Sequence, residues 1–230
     1  MLGQGYQDAL GTMEADLVTP FINMAYVDDV LAQTRHLNPG DMQSDYFRDL
    51  LHDAHHRIMV CLIAVGEVDI SRTDIMQSLP PFEAIIDSTA ITDGGRLAAA
   101  YELARLAATI YSCAVILPLP TVTGWHLKLC ARLHTRMQLS NTTSWPVDLT
   151  PLLIWVLMVA NMAGLHYDQR DCFLYVLRKL LDQAGLKSWS DLHKVLGSFA
   201  WSDAACATGA VAVWDTLNVI EVHDDSPLQP

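Results

Sequence analysis

Three histidines, His52, His55 and His56, sit in "HDAHH" beside Asp49 and Asp53. Helical histidines at i and i+4 can share a zinc ion, which needs three or four converging N, S or O ligands. His52 and His56 have that spacing, but no glutamate lies between them to act as a base and no third ligand is evident. The apolar period turns Ala54 and Ile58 inward, which leaves the histidines on a solvated face. No metal site and no cofactor is expected. Cys61, Cys113, Cys130, Cys172 and Cys206 are scattered and odd in number, without a C-x-x-C pair. They fit a reduced intracellular compartment rather than a disulfide framework or zinc cluster. Cys206, among Ala204, Ala205 and Ala207, reads as a small buried hydrophobe. There is no nucleophile elbow and no P-loop. "DGGR" at Asp93–Arg96 reads as a loop entering a helix and lacks the strand that a dinucleotide fold needs. The acid–base candidates that remain are His126, His166 and Asp203.

Aromatic residues supply a second kind of candidate. The tryptophans are Trp125, Trp145, Trp155, Trp189, Trp201 and Trp214. A pocket walled by Tyr111, Trp125, Trp155, Tyr167 and Trp201 would take an apolar small molecule. The competing reading is a packed core, in which each buried indole N–H needs a partner. Two tryptophans bracket the run "SFAWSDAACATGAVAVW" (Ser198–Trp214), whose small residues let a neighbouring helix approach closely. Helical geometry puts Trp201, Ala205, Thr208 and Ala212 on one face and Cys206, Gly209 and Val213 on the next. The expected neighbour is the bulky helix Leu152–Leu165.

The elements that must position these residues read as helices almost throughout. Asp45–Val65 carries Leu50, Leu51, Ala54, Ile58, Cys61, Leu62 and Val65 at helical spacing and stops at Gly66. Pro80 and Pro81 break the chain before a short segment at Glu83–Ile86. Asp93–Ile116 is a long helix with Leu97, Tyr101, Ala104, Ala108, Tyr111 and Val115 on a stripe, ended by Pro118 and Pro120. Thr123–Gln138 is amphipathic, with Leu129, Leu133 and Met137 inward and Lys128, Arg132 and Arg136 outward. A polar loop, "SNTTSWPVDLTP", follows. Pro151–Leu165 is the longest apolar run; it is short for a bilayer span of roughly 20 residues and reads as a fully buried helix. Further helices are expected at Asp168–Ala184, ended by Gly185, at "SWSD" (Ser188–Asp191) with a capping box and a Gly197 C-cap, and from a Ser202 cap to about Val219. The tail "VHDDSPLQP" should fray. The fold class is all-α, a multi-helix domain. Residues 1–94 form an acidic, mostly helical N-terminal part, 95–220 a helical core and 221–230 a flexible tail, within one structural domain.

Bulk properties narrow the partners. The 230 residues carry net charge -12, 51% hydrophobic and 17% charged residues, and a mean hydropathy of +0.22. That composition is folded, not disordered, with apolar surface left for the fold, a partner, a homodimer or a ligand to cover. Residues 1–100 hold 15 acidic and 5 basic side chains, residues 101–230 hold 11 and 9. With no basic patch to follow a phosphate backbone, direct nucleic-acid binding is not expected. Neither a signal peptide nor a membrane span is expected.

Four stretches, taken in order, resemble the regulatory (middle-homology) domain of fungal binuclear zinc-cluster transcription factors. They are "YELARLAATIYSCAVILPLP" (Tyr101–Pro120), "LLIWVLMVANMAG" (Leu152–Gly164), "SWSDLHKVLGSFAW" (Ser188–Trp201) and "WSDAACATGAVAVWDTL" (Trp201–Leu217). The resemblance spans about residues 95–217. It implies a helical domain for effector sensing and activity control, often tied to secondary-metabolite gene clusters. The family reads DNA through a six-cysteine zinc cluster, which this sequence lacks. The resemblance therefore implies regulation through protein contacts or a small-molecule effector, in the nucleus. The alternative is a cofactor-free cyclase, pericyclase or isomerase evolved from such a domain, acting in the cytoplasm on a polyketide- or terpenoid-like substrate.

Overall fold

The computed structural model describes residues 3–11, 15–34, 93–116, 118–140 and 145–224, with Asp49 and His56, both exposed. His52 and His55 lie outside the described residues, as do the rest of Asp45–Val65, Pro80–Ile86 and the end of the tail. Among the described residues there are eight α-helices and no strand. They are α1 (Gln4–Leu10), α2 (Ala15–Thr34), α3 (Asp93–Tyr111), α4 (Trp125–Ser140), α5 (Thr150–Ala163), α6 (Arg170–Gln183), α7 (Trp189–Leu196) and α8 (Asp203–Asp224). A π-turn at Ser112–Ile116 extends α3, and 3-10 turns precede α4 and α5. The fold is an all-α multi-helix domain.

The axis of the fold is α5. Ten consecutive residues, Leu152 to Asn161, are buried, so this helix has no solvent face. Pro151 stands in its first turn, where a missing N–H costs nothing. Helices α1, α3, α4, α6, α7 and α8 all pack on it. Its one polar interior residue, Asn161, is fully buried and donates Nδ2–H to the Leu157 carbonyl at 2.9 Å. Buried residues from Tyr6 to Leu217 form one continuous core.

Helix α3 lies between α4 and α5 and buries most of its circumference, including Leu103, Leu106, Ala107 and Ile110 beyond the expected stripe. Asp93–Arg96 forms its first turn, not a loop, because the helix begins at Asp93 itself. The window Gly95–Ile116 has the length and apolarity of a membrane span, yet 72% of its strongest stretch is buried inside the protein. On α4, Leu133 and Met137 face inward as expected, but Arg132 and Arg136 are half-buried rather than outward. Arg132 sits close enough to Arg105 and Glu102 of α3 to feel both charges. Arg105, nearly buried, pairs with Glu102 at 2.9 Å.

Helices α6 and α7 end next to the glycines that the sequence indicates. Gly185 adopts φ 67°, and Leu186 N–H closes back to the Leu181 carbonyl at 3.0 Å, a Schellman-type stop for α6. Ser188 caps α7 by accepting the Asp191 N–H at 3.1 Å. Gly197 ends α7 with right-handed dihedrals (φ -66°), so no left-handed cap is used there.

Of the two adjacent faces of helix α8, the one with Cys206, Gly209 and Val213 turns inward, and the helix runs five residues beyond Val219, to Asp224. Its buried positions are Cys206, Ala210, Val213 and Leu217, while Ala205, Thr208 and Ala212 are exposed. Val213 and Leu217 remove more apolar area from water than alanines would, which decides the inward face. The expected contact with α5 is present: a Cβ on Gly209 would lie 3.4 Å from Met162 Cγ and Sδ, ordinary van der Waals range. Gly209→Ala should therefore raise the urea midpoint, by up to about 1 kcal/mol of helix propensity. A lowered midpoint would mean that α8 is tighter on α5 than this spacing.

Candidate functional site

Polar groups converge on Ser198–Ser202, the backbone between α7 and α8. Gly5 of α1 donates its N–H to the Ser198 carbonyl at 2.8 Å. The Ala200 N–H reaches Tyr6 Oη at 3.3 Å, and the Ala200 carbonyl accepts Trp155 Nε1–H at 2.9 Å. The Ser202 N–H is taken by Tyr111 Oη at 2.8 Å. The Tyr111 hydroxyl is also hydrogen-bonded to the buried carboxylate of Asp28 on α2.

The rings attached to these groups form one buried aromatic centre. Trp155 stacks on Phe199 at 5.9 Å and 27°. Tyr6 stands edge-on to both, at 5.3 Å from Trp155 and 5.0 Å from Phe199, and tilts against Phe21 at 5.2 Å. Tyr111 lies 6.2 Å from Trp155. Burial raises both tyrosine pKa values well above the usual phenol range, with the Asp28 charge adding to the rise at Tyr111. Both remain neutral donors and acceptors. Burial and then Asp28 push the Cys206 thiol up to about 12, so it packs as a hydrophobe. Burial likewise holds Cys113 at about 11 and Cys130 at about 12.

Among the ligand candidates, Tyr111 and Trp155 belong to this centre. Tyr167 belongs to a second cluster, stacked on Phe173 at 5.8 Å beside His134. Trp125 packs against His126, and Trp201 is half-buried at the entry to α8. Trp125 Nε1, His126 Nδ1 and Trp201 Nε1 are buried without a hydrogen-bond partner.

The acid–base candidates lie on different elements. His166 is exposed in the turn after α5, and His126 begins the second residue of α4. Asp203 is 64% exposed and pairs with His193 Nε2 at 2.7 Å, joining α7 to the start of α8. Such an exposed pair contributes at most about 1 kcal/mol. Ser202 stands directly before α8, and its carbonyl accepts the Ala205 and Cys206 N–H groups. Its hydroxyl does not cap the helix: Oγ is buried and without a partner, because the backbone clamp turns Ser202 inward.

Sequence reasoning missed Tyr6, Phe21, Asp28 and Phe199 as members of this centre. The one available signal was three glycines, Gly3, Gly5 and Gly11, around Tyr6, marking close backbone approach. A Cβ on Gly5 would stand 2.6 Å from Ser198 Oγ and 2.7 Å from Phe199 Cζ.

No family model, curated protein or solved structure matches this chain. Fold and site define an all-α domain built around a clamped backbone segment and a buried aromatic centre.

Two consequences can be measured. Tyr111→Phe removes the acceptor of the Ser202 N–H and the donor to Asp28, and should cost about 1–3 kcal/mol or more in chemical denaturation. No loss would mean that water reaches both groups. Burial lowers the pKa of His134, which packs edge-on to Phe173 at 5.8 Å. The unfolded chain then binds that proton more tightly than the folded one. The stability from His134 is complete above about pH 6.5 and declines as pH falls below it. The loss between pH 7 and 5 should be shallower in His134→Gln; an unchanged slope would place the acid sensitivity elsewhere.

Proposed function

We propose that the chain is a fungal transcription-factor-like regulatory protein, tied to secondary-metabolite biosynthesis. It acts by protein contacts or by binding a small-molecule effector rather than by reading DNA itself. The supporting observation is that the four stretches carrying the family resemblance meet at one place. Tyr111 comes from the first, Trp155 from the second, Phe199 and Ala200 from the third, Ser202 and Cys206 from the fourth. Their side chains and backbone hydrogen-bond and stack directly on one another.

Deletion of the gene, with transcripts and metabolites measured together, tests the reading. The expected result is loss of pathway transcripts along with the product. Lost product with normal transcripts would overturn regulation and favour the biosynthetic enzyme.

A further inference from the structure

Helices α3 and α4 bring three guanidinium groups together. Arg132 and Arg136 are one turn apart on α4, so they share a flank of that helix, and Lys128 stands one turn before them. Both arginines are half-buried, while Lys128 is exposed. Arg105, on the neighbouring α3, is nearly buried, with Nε and Nη2 at 3.3 and 2.9 Å from Glu102 Oε2. Burial first, then the charges of Arg105 and Arg136, press the Arg132 guanidinium below its ordinary pKa, and Glu102 pulls the other way.

This grouping runs against the charge of the chain, which is -12 overall. Among the described residues, three positive groups meet one carboxylate here, which leaves two positive charges over. Other cations are answered by an acid on their own helix, as Arg178 is by Asp182 and Lys194 by Asp191. Arg105 and Arg136 have further interactions of their own. Arg132 differs: among the described residues no hydrogen bond or ion pair holds its side chain. Like charges held side by side oppose folding unless an anion answers them. The planar guanidinium fork is shaped to take two oxygens of one oxyanion.

We infer that Arg132, backed by the positive charges of Arg105 and Arg136, binds the phosphate group of a small soluble molecule. A phosphate monoester carries about -1.5 to -2 near neutral pH, which matches the two surplus positive charges. Two of its oxygens accept from the Arg132 fork, and the third is left for a further donor. An extended polyanion is disfavoured, because the net charge of the chain repels it, whereas a small ion meets only the local field. The inference goes beyond the regulatory reading and does not depend on it. A regulator and an enzyme would carry the site alike.

Calorimetry on the purified chain, with chloride adjusted to hold ionic strength, should show binding of inorganic phosphate and of glycerol 3-phosphate. Arg132→Met keeps an apolar stem and removes the charge. It should weaken both about tenfold or more, the worth of a charge-assisted hydrogen bond. Lys187→Gln removes an equal charge from an exposed residue between α6 and α7 and should leave binding unchanged. Without phosphate, Arg132→Met should keep or raise the thermal midpoint, since it relieves repulsion. Absence of phosphate binding by the unaltered chain would overturn the inference. Equal weakening by Lys187→Gln would do the same, since the effect would then be a general field. So would a lowered midpoint in phosphate-free Arg132→Met, which would make Arg132 a partner in a structural ion pair. Flotation of the chain with phosphatidic acid vesicles would move the phosphate to a lipid and overturn the small-molecule source.

Discussion

Between α7 and α8 the chain buries Phe199, Ala200 and Ser202, and the Ala200 and Ser202 amides and the Ala200 carbonyl are paired outside any helix. An unpaired buried peptide group costs on the order of a hydrogen bond or more. Side chains from distant helices remove that cost: Trp155 supplies a donor to Ala200, while Tyr6 and Tyr111 supply acceptors to Ala200 and Ser202. Each of these contacts spans a large sequence separation, up to 194 residues for Tyr6. The clamp therefore forms only when α1, α3 and α5 are all in place. The same residues contribute the large rings of the core, so hydrogen bonding and apolar burial reinforce each other at one point.

The choice of side chain follows from that double duty. A tyrosine or tryptophan brings a large apolar body and one polar atom, which suits a place where rings must stack and a peptide group must be answered. Phe199 has no polar group to place, and it only stacks. Asp28 extends the arrangement to α2 through the Tyr111 hydroxyl. Burial first, and then the Asp28 charge, raises the phenol and thiol pKa values, so Tyr6, Tyr111 and Cys206 stay protonated over the physiological range. The Asp203–His193 pair, by contrast, is exposed.

Around this centre the packing is set by size. Helix α5 is large on every side and takes neighbours on every side. Helix α8 approaches it through Gly209, while its valine and leucine side chains turn inward. Helix α1 approaches the 198–202 segment through Gly5, at a spacing no side chain would permit. The two glycines act differently. At Gly209 there is room for a methyl group; at Gly5 there is not.

Much of this was legible in the sequence. The apolar period of α3, the unbroken apolar run of α5, the Ser188 cap and the Gly185 stop are local signals, and local geometry enforces them. The tryptophan-bracketed stretch was legible as a helix entry with a small-residue face, because spacing alone determines which residues share a face. Which face turns inward was not legible, since that depends on how much area Val213 and Leu217 bury against other helices. The cap role expected of Ser202 failed for a tertiary reason: Tyr111, 91 residues away, takes its amide, and its hydroxyl turns inward. Asp28 gave no local sign of belonging to the centre, and Tyr6 only the glycines beside it, because their partners lie on other elements. The sequence by itself determined the helices and their stops, which short-range sterics and hydrogen bonds decide. The tertiary structure decided which polar atoms meet, because a buried peptide group is answered by whatever side chain the packing brings within reach.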